Sequence, residues 1–331
     1  MTDAPQPTER AIAVVLAAGL GTRMAPLARA CAKPALPVLD VPVILRLARV
    51  LAGAGIERAI VNTHAHPESL RAALAESPLP IDWVSEPSPR GSGGGILGAR
   101  SLLGEHESFL VVNGDMCLEL DFRALCAQHR KSGALATLAL RADSRKREFG
   151  SIGYDRQGHV SRITDRIDLG SEKASGLFIG VQVMSPAIFA RMPAREAFEI
   201  IPDVYLPALR DGAAIGTWLQ AESDAWWPVG TPRELLDANL AALRHEVGSE
   251  SVRAAASARV EGRVTGPAWI GERAHVEAGA QVGPQAVLSA GAVVRAGARL
   301  EAAVALPGAE LRAGESLVRT VAFDGGVWRD A

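Results

Sequence analysis

The chain has few cysteines, no surplus of one charge and no long apolar run. Its three cysteines, Cys31, Cys117 and Cys126, form no Cys-x-x-Cys pair, and so small and odd a set favours a reducing compartment over a disulfide scaffold. The 35 Lys and Arg residues nearly balance 37 Asp and Glu residues, which disfavours a nucleic-acid or anionic-membrane binder. No apolar run approaches the length of a membrane span, and the opening stretch MTDAPQPTER lacks the apolar core of a signal peptide. We therefore expect a soluble cytoplasmic protein without nucleic-acid or membrane partners.

Up to residue 247, the chain alternates strand-like and helix-like patterns. The predicted strands cover 11–18, 58–63, 81–86, 108–115, 176–185 and 214–220, with a hairpin over 150–163 that turns at Gln157-Gly158. The predicted helices cover 42–54, 67–76, 94–103 and 231–245, the last with Thr231 as N-cap. This alternation favours βαβ units and a mainly parallel sheet.

From residue 248 onward the apolar pattern changes to a period of six. The large aliphatic residues of this repeat are Val264, Ile270, Val276, Val282, Leu288, Val294, Leu300 and Leu306. Alanine stands four positions after most of them, at 268, 274, 280, 286, 292 and 298, and Val304 comes next. A period of six fits a hexapeptide β-helix, in which each hexad forms one flat face of a triangular coil. Regular glycines, together with Pro267 and Pro284, disfavour the alternative of an alanine-rich helical tail.

A glycine-rich segment follows the first predicted strand, but it lacks the Gly-Lys-Ser/Thr of a P-loop. It reads LAAGLGTRMAPLARACAKP over 16–34. Gly19 and Gly21 permit positive φ and a close approach of backbone N–H groups to phosphate. Arg23 and Lys33 can neutralise that phosphate. A dinucleotide fingerprint would place a third glycine where Met24 stands, so dinucleotide binding is disfavoured.

This segment resembles the signature of the nucleoside-triphosphate:sugar-1-phosphate nucleotidyltransferases, the sugar-nucleotide pyrophosphorylases. VVNGD (111–115) and VGTP (229–232) follow in the order of that family, and the hexapeptide repeat is similar to its mannose-1-phosphate guanylyltransferase-like branch. The resemblance implies an α/β fold: a Rossmann-like, GT-A-like mixed sheet flanked by helices over residues 1–247, and a left-handed β-helix over 248–331. It also implies attack by a sugar-1-phosphate on the α-phosphorus of a nucleoside triphosphate, with Mg²⁺ as cofactor and pyrophosphate as leaving group. The branch favours GTP and a mannose-1-phosphate-like sugar.

The resemblance assigns roles to individual residues of this chain. Arg23 and Lys33 would be catalytic cations, and Asp115, at the end of FLVVNGD, would be the catalytic metal ligand. The implied nucleotide-binding residues are Ala18, Gly19, Gly21, Thr22, Gly93 and Gly94, the last two within a Gly91–Gly95 stretch similar to a loop over the base. The implied sugar-binding residues are Gly150 of EFGSIG, Asp165 and Arg166.

The sequence departs from the family pattern in WWPVGTP (226–232), where Pro228 stands at the place of the usual second metal aspartate. Glu222 and Asp224 lie nearby in the chain as substitute carboxylates. An active enzyme can hold Mg²⁺ with one carboxylate, substrate phosphates and water. The alternative is a weak or inactive paralogue that binds a nucleotide sugar and regulates or scaffolds an active partner.

The β-helix has its own expected role. An acyltransferase role is disfavoured because the hexads form a short stack and His275 is the sole candidate base there. We expect the stack to serve assembly, as a homo-oligomer or as a hetero-oligomer with an active paralogue. A chain cut before the repeats is expected to keep its first domain folded.

Overall fold

The structure, a computed structural model, describes residues 11–145 and 150–330. The described chain divides into two compact units. Unit A contains residues 11–20, 47–114 and 118–226, and unit B contains residues 21–46, 115–117 and 227–330. The division follows packing and not chain order. The predicted domain boundary after residue 247 stays a prediction. Within the described ranges, no helix is both long and apolar enough to cross a bilayer.

The N-terminal three quarters of the chain contain short strands and helices in alternation. The strands are β1 (Ala11–Leu16), β2 (Pro37–Val38), β3 (Val41–Pro42), β4 (Ile56–Thr63), β5 (Ile81–Ser85), β6 (Phe109–Asn113), β7 (Met116–Leu118), β8 (Ala136–Arg141), β9 (Ile152–Tyr154), β10 (Val160–Ile163), β11 (Ile167–Asp168), β12 (Ala174–Met184), β13 (Ile215–Leu219) and β14 (Trp226–Pro228). The helices are α1 (Val43–Gly53), α2 (Pro67–Ala73), α3 (Gly91–Gly98), α4 (Arg100–Leu103), α5 (Phe122–Ser132), α6 (Leu206–Arg210) and α7 (Pro232–Glu246).

Unit A is built on one mixed sheet. Its strand order is β11-β10-β9-β12-β6-β1-β4-β5, and β8 pairs with both β12 and β13. Strand β1 runs parallel to β4 and β6, whereas β12 is antiparallel to β6, β8 and β9. The predicted mixed sheet is confirmed, and its parallel part is the block β6-β1-β4-β5 together with the pair β8 and β13. The strand interiors are continuous apolar runs such as Ile12–Val15, as expected for strands that are covered on both faces.

The C-terminal part of unit B is a stack of short strands that are parallel to one another, except for the last, which runs antiparallel to the strand before it. These strands are β15 (Val252–Ala254), β16 (Arg259–Val260), β17 (Arg263–Val264), β18 (Ala268–Ile270), β19 (His275–Val276), β20 (Gln281–Val282), β21 (Ala286–Leu288), β22 (Val293–Val294), β23 (Arg299–Glu301), β24 (Val304–Ala305), β25 (Glu310–Leu311), β26 (Ser316–Val318), β27 (Thr320–Phe323) and β28 (Gly326–Arg329). They form the three sheets β15-β18-β21-β24-β27-β28, β16-β19-β22-β25 and β17-β20-β23-β26. Three sheets that repeat in this order are the faces of a β-helix. The β-helix predicted from the six-residue period is therefore confirmed.

The hexad phase holds as far as Leu300 and then shifts by one residue. Val282 pairs with Leu300, but Leu300 pairs with Leu317, so that coil is one residue shorter. The next inward positions are therefore Ala303 and Ala305, which lie in the apolar core of the stack. The prediction that Leu306 continues the inward row is wrong, because Leu306 packs in a different cluster of unit B.

That different cluster is the second apolar core of unit B, and we call it the shared core. It joins three parts of the chain: the segment after the glycine loop, helix α7, and the outer face of the β-helix. From these it draws Met24, Leu36, Val38 and Leu39; Leu235, Leu236, Leu240 and Leu243; and Val287, Val304, Leu306 and Val321. The glycine-loop segment therefore packs against repeat residues far away in the sequence.

Candidate functional site

The glycine loop turns at Gly21 in unit B. Gly21 has φ 63° and ψ 22°, in the left-handed region that favours glycine. It leads into the short 3-10 turn Thr22–Met24, where the Met24 N–H donates to the Gly21 carbonyl (2.9 Å). Met24 is fully buried and anchors the turn, whereas Thr22 and Arg23 are exposed. The turn thus presents the Arg23 guanidinium to solvent from a fixed backbone.

Lys33 and Asp115 form a direct ion pair in unit B. Lys33 opens the 3-10 turn Lys33–Ala35, and its ammonium donates a hydrogen bond to Asp115 Oδ2. The two side chains are 13% and 28% exposed, so the pair is partly buried. A cation and a carboxylate in contact in a partly desolvated place are a strong local pair.

The segment around Pro228 lies beside the same aspartate. The Val229 N–H donates to the Asp115 carbonyl (2.8 Å). Next along the chain, the Gly230 N–H donates to Glu234 Oε2 (2.9 Å). A Cβ at Gly230 would lie 3.5 Å from Arg23 Nη2. Unit B therefore brings the predicted residues Arg23, Lys33 and Asp115 to one place, with a proline where a second carboxylate was sought.

The charges of this place suit an anionic phosphate chain together with one divalent cation. Among the residues the structure describes, no group of three or more His, Cys, Asp and Glu side chains could hold a metal by itself. Asp115 supplies one carboxylate, and Mg²⁺ commonly binds through one or two carboxylates plus substrate phosphates and water. The donor set therefore fits a magnesium ion that arrives with its nucleotide.

In unit A, a buried chain of hydrogen bonds, which we call the Asn62–Glu86 relay, holds the backbone before the glycine loop. The sequence did not predict it. The Ala17 N–H donates to Asn62 Oδ1 (2.6 Å), and Asn62 Nδ2 donates to Glu86 Oε1 (2.7 Å). The Arg90 N–H donates to the other carboxylate oxygen of Glu86 (3.0 Å). Asn62 and Glu86 are 4% and 3% exposed. Their position at the carboxyl ends of β4 and β5, where α/β sheets bind ligands, was the available signal.

The Gly91–Gly95 stretch, predicted to be a loop over the nucleotide base, is helical. Gly93 and Gly94 lie in α3, and both N–H groups point to the Phe198 carbonyl (3.0 and 3.2 Å). A Cβ at Gly93 would stand 2.3 Å from the Phe198 ring, and one at Gly94 would stand 2.1 Å from the Glu196 carbonyl oxygen. These glycines therefore permit close packing of α3. Their role toward a nucleotide stays a prediction.

The predicted sugar-side residues of unit A lie together. Gly150 has φ 86°, and a Cβ there would be 2.9 Å from Thr164 Cγ2. Asp165 and Arg166 follow Thr164, exposed in the turn between β10 and β11. The Glu148-Phe149 part of the EFGSIG motif lies outside the described residues. Nearby, the Glu172 carboxylate pairs with Arg162 (2.5 Å).

The remaining predicted residues are placed as follows. Ala18 is buried two residues after the end of β1, and Gly19 is exposed beside it. Glu222 and Asp224 belong to unit A, where their backbone carbonyls accept hydrogen bonds from Arg141 (3.0 and 2.6 Å). A metal-binding role for either carboxylate stays untested.

Comparison with known proteins shows what the whole chain is similar to. Residues 12–245 match the model of the nucleotidyl transferase family. The chain is 30% identical over 318 residues to a mannose-1-phosphate guanylyltransferase of Mycobacterium tuberculosis, covering 93% of this chain and 83% of that protein. It is 26% identical over 314 residues to a probable mannose-1-phosphate guanylyltransferase of Oryza sativa, with coverages of 91% and 82%. The crystal structure of HddC from Yersinia pseudotuberculosis complexed with GMP-PN is similar in fold. Its TM-score is 0.57 at 24% identity, over 69% of this chain and 98% of that one.

Proposed function

The chain belongs to the nucleotidyl transferase family, and we propose that it joins a nucleoside monophosphate to a sugar-1-phosphate. The substrates would be a nucleoside triphosphate and the sugar phosphate; the products would be a nucleotide sugar and pyrophosphate. GTP and a mannose-1-phosphate-like sugar are the proposed pair, because relatives that match nine tenths of the chain are named for that reaction. The observation that carries the proposal is the contact of Lys33 with Asp115 beside the exposed Arg23 in unit B.

The reaction is a single in-line displacement. An oxygen of the sugar-1-phosphate bonds to the α-phosphorus, and the bond from that phosphorus to the bridging oxygen of pyrophosphate breaks. Such a reaction needs little covalent chemistry from the protein, which mainly positions two anions and stabilises the charge that spreads over the phosphoryl oxygens. Arg23 would bind the triphosphate through the N–H donors of its planar guanidinium. Lys33 would place its positive charge at the α-phosphate.

Asp115 holds the third role. Its carboxylate would hold Mg²⁺, which would supply charge neutralisation at the substrate phosphates when bound. The protein itself fixes where that carboxylate stands. The Asp115 carbonyl accepts the Val229 N–H, and the side chain accepts Lys33. The Asn62–Glu86 relay would fix the backbone that leads into the glycine loop, through the Ala17 N–H.

A second candidate function is favoured by Pro228. This residue has no side-chain oxygen, and it precedes Val229, whose N–H donates a hydrogen bond to the Asp115 carbonyl. A paralogue that binds a nucleotide sugar without forming it, and that regulates or scaffolds an active enzyme, would keep Arg23 and Lys33 for binding. Such a protein would bind GDP-mannose but release no pyrophosphate.

We also propose that the β-helix mediates self-association. Strands β15, β16 and β17 each pair with one neighbour, and Val252 and Val260 on them are 46% and 44% exposed. Unpaired strand edges are surfaces that another chain can extend. Light scattering of the purified protein tests this proposal, and a monomer at micromolar concentration would contradict it.

The proposed reaction is tested by a pyrophosphate-release screen. The purified chain is assayed with Mg²⁺, four nucleoside triphosphates and several sugar-1-phosphates. We expect the highest kcat/KM with GTP and mannose-1-phosphate, and Lys33→Ala and Arg23→Ala variants should lose most of that rate. Tight binding of GDP-mannose by calorimetry, without pyrophosphate release from any pair, would favour the binding paralogue instead.

A further inference from the structure

A two-residue turn ties the Lys33 segment of unit B to the β-helix. Strands β2 and β3 form a small hairpin whose turn residues, Leu39 and Asp40, have φ 48° and 64°. A turn with positive φ at both positions suits glycine or asparagine, and other residues adopt it at a cost. Neither residue here is glycine, so surrounding contacts hold the turn in this conformation.

The β-helix supplies those contacts to Asp40. The Trp269 indole N–H donates to Asp40 Oδ2 (2.7 Å), and the Ala290 backbone N–H donates to Asp40 Oδ1 (2.9 Å). Gly271 borders the same carboxylate, and a Cβ there would lie 2.2 Å from Asp40 Oδ2. The Asp40 carboxylate thus lies in a binding site that consists of an indole N–H, a backbone N–H and the backbone of Gly271.

The adjoining residues of the hairpin are equally well anchored. The Leu39 N–H donates to Asn239 Oδ1 (3.0 Å) on α7, and Arg46 Nε donates to the Val38 carbonyl (3.0 Å). Val38 and Leu39 are buried in the shared core. The chain from Lys33 to Asp40 contains one turn and one short strand. Because this segment is so short, a displacement of Asp40 would move Lys33 as well.

We propose that Asp40 is a positioning residue for nucleotidyl transfer, and that the β-helix, through Trp269 and Ala290, sets where Lys33 stands. The proposal rests on the proposed function. It assigns the β-helix a part in the transfer site besides assembly. Asp40 acts through the backbone of residues 33–40 and touches no substrate.

The test compares Asp40→Asn with a matched control, Glu277→Gln. Glu277 also accepts a backbone N–H of the β-helix, from Ala296 (2.8 Å), and pairs with Arg295 (2.7 Å). Both substitutions replace a carboxylate in unit B by its amide, but the hydrogen bonds and ion pair of Glu277 within the described chain go to Ala296 and Arg295 of the β-helix and not to the hairpin. Hydrogen exchange of the amides of residues 21–36 reports on the segment directly, and kcat and KM for both substrates report on the site.

We expect Asp40→Asn to speed exchange in residues 21–36 and to lower kcat by about tenfold or more, since small misplacements of positioned groups cost that much. Glu277→Gln should change neither. Trp269→Phe keeps an aromatic ring but removes one donor, so it should give a weaker form of the same result. This variant also serves if Asp40→Asn does not fold.

Unchanged exchange and unchanged kcat in folded Asp40→Asn and Trp269→Phe would overturn the proposal. A lower melting temperature with wild-type kcat and KM would show a merely structural role and would overturn it as well. If the wild-type chain releases no pyrophosphate, the proposed function fails by itself. The exchange rates and the affinity for GTP then still decide whether Asp40 positions the segment.

Discussion

The ammonium group of Lys33 lies against the carboxylate of Asp115, although 82 positions separate the two residues in the sequence. Both side chains are partly buried, so removing either one leaves the other poorly solvated and without its partner. Each member therefore holds the other in place before any substrate arrives. The proposed transfer site is built on this pair, with Arg23 beside it.

Asp115→Asn should abolish turnover. The amide keeps the shape of the side chain but loses the charge that would bind Mg²⁺ and pair with Lys33. This loss should cost several kcal/mol of transition-state stabilisation, about 10²-fold or more in kcat. The measurement is pyrophosphate release over a Mg²⁺ titration.

Asp121→Asn is the matched control for that change. Asp121 caps α5 by accepting the Ala124 N–H (2.9 Å), and asparagine caps a helix equally well. The control should keep wild-type kcat. A near-wild-type rate for Asp115→Asn would remove Asp115 from the site.

Pro228→Asp should raise the rate or lower the Mg²⁺ requirement. The Val229 N–H is bonded to the Asp115 carbonyl, so residue 228 stands beside the proposed metal ligand. A second carboxylate would replace water on the ion, and the gain could reach about tenfold, or roughly 1.4 kcal/mol. Pro228→Ala separates this gain from the loss of the proline ring. If both variants fold and show the same metal dependence as wild type, position 228 does not face the metal.

Truncation after residue 248 should unfold unit B rather than release an intact first domain. The cut removes Val287, Val304, Leu306 and Val321 from the shared core and exposes the residues that packed on them. Each uncovered large aliphatic side chain costs about 2 kcal/mol, so the sum approaches the whole stability of a domain.

Urea unfolding followed by circular dichroism measures this effect, with Val318→Ser as the control. Val318 is exposed on β26, so its substitution should leave the unfolding midpoint almost unchanged. A truncated chain with a cooperative transition at the wild-type midpoint would support the expectation drawn from the sequence.

Acid should destabilise unit A through His129. Burial lowers the pKa of His129 from 6.5 to about 4, so between these values the unfolded chain binds a proton that the folded chain does not. Stability therefore falls as pH drops through this window, and the His129 share between pH 7 and pH 4.5 is about 2 kcal/mol. Urea titrations at both values should show this loss in wild type beyond that in His129→Gln. An equal loss in the two proteins would contradict the assignment.

Much of the fold was predictable because its elements have clear local patterns. Strands β1, β4, β5, β6, β12 and β13 of unit A were predicted within a few residues, as was helix α7 with its Thr231 cap. The buried strand β8 was not predicted. The hexads were predicted as far as Leu300. Beyond it, residues 302–306 are all apolar, so the period alone did not place Ala305 inside and Leu306 in the shared core.

The remaining features depend on contacts that are distant in sequence. Five residues reading GSGGG open α3 against their low helix propensity, and their packing against Phe198 overrides it. The sequence predicted Lys33 and Asp115 separately as site residues, but it did not predict that the two side chains contact each other. Nothing local to Asp40 indicated that Trp269 and Ala290 would bind its carboxylate.

The most direct test of the central claim follows the α-phosphorus of the nucleotide. GTP labelled with ³²P at the α-phosphate is incubated with mannose-1-phosphate, Mg²⁺ and the protein, and the labelled products are separated and identified by mass spectrometry. The account predicts that the label enters GDP-mannose in an amount equal to the pyrophosphate released, and that Asp115→Asn abolishes both. Label found in free GMP or GDP, or unchanged GTP beside tightly bound GDP-mannose, would contradict it.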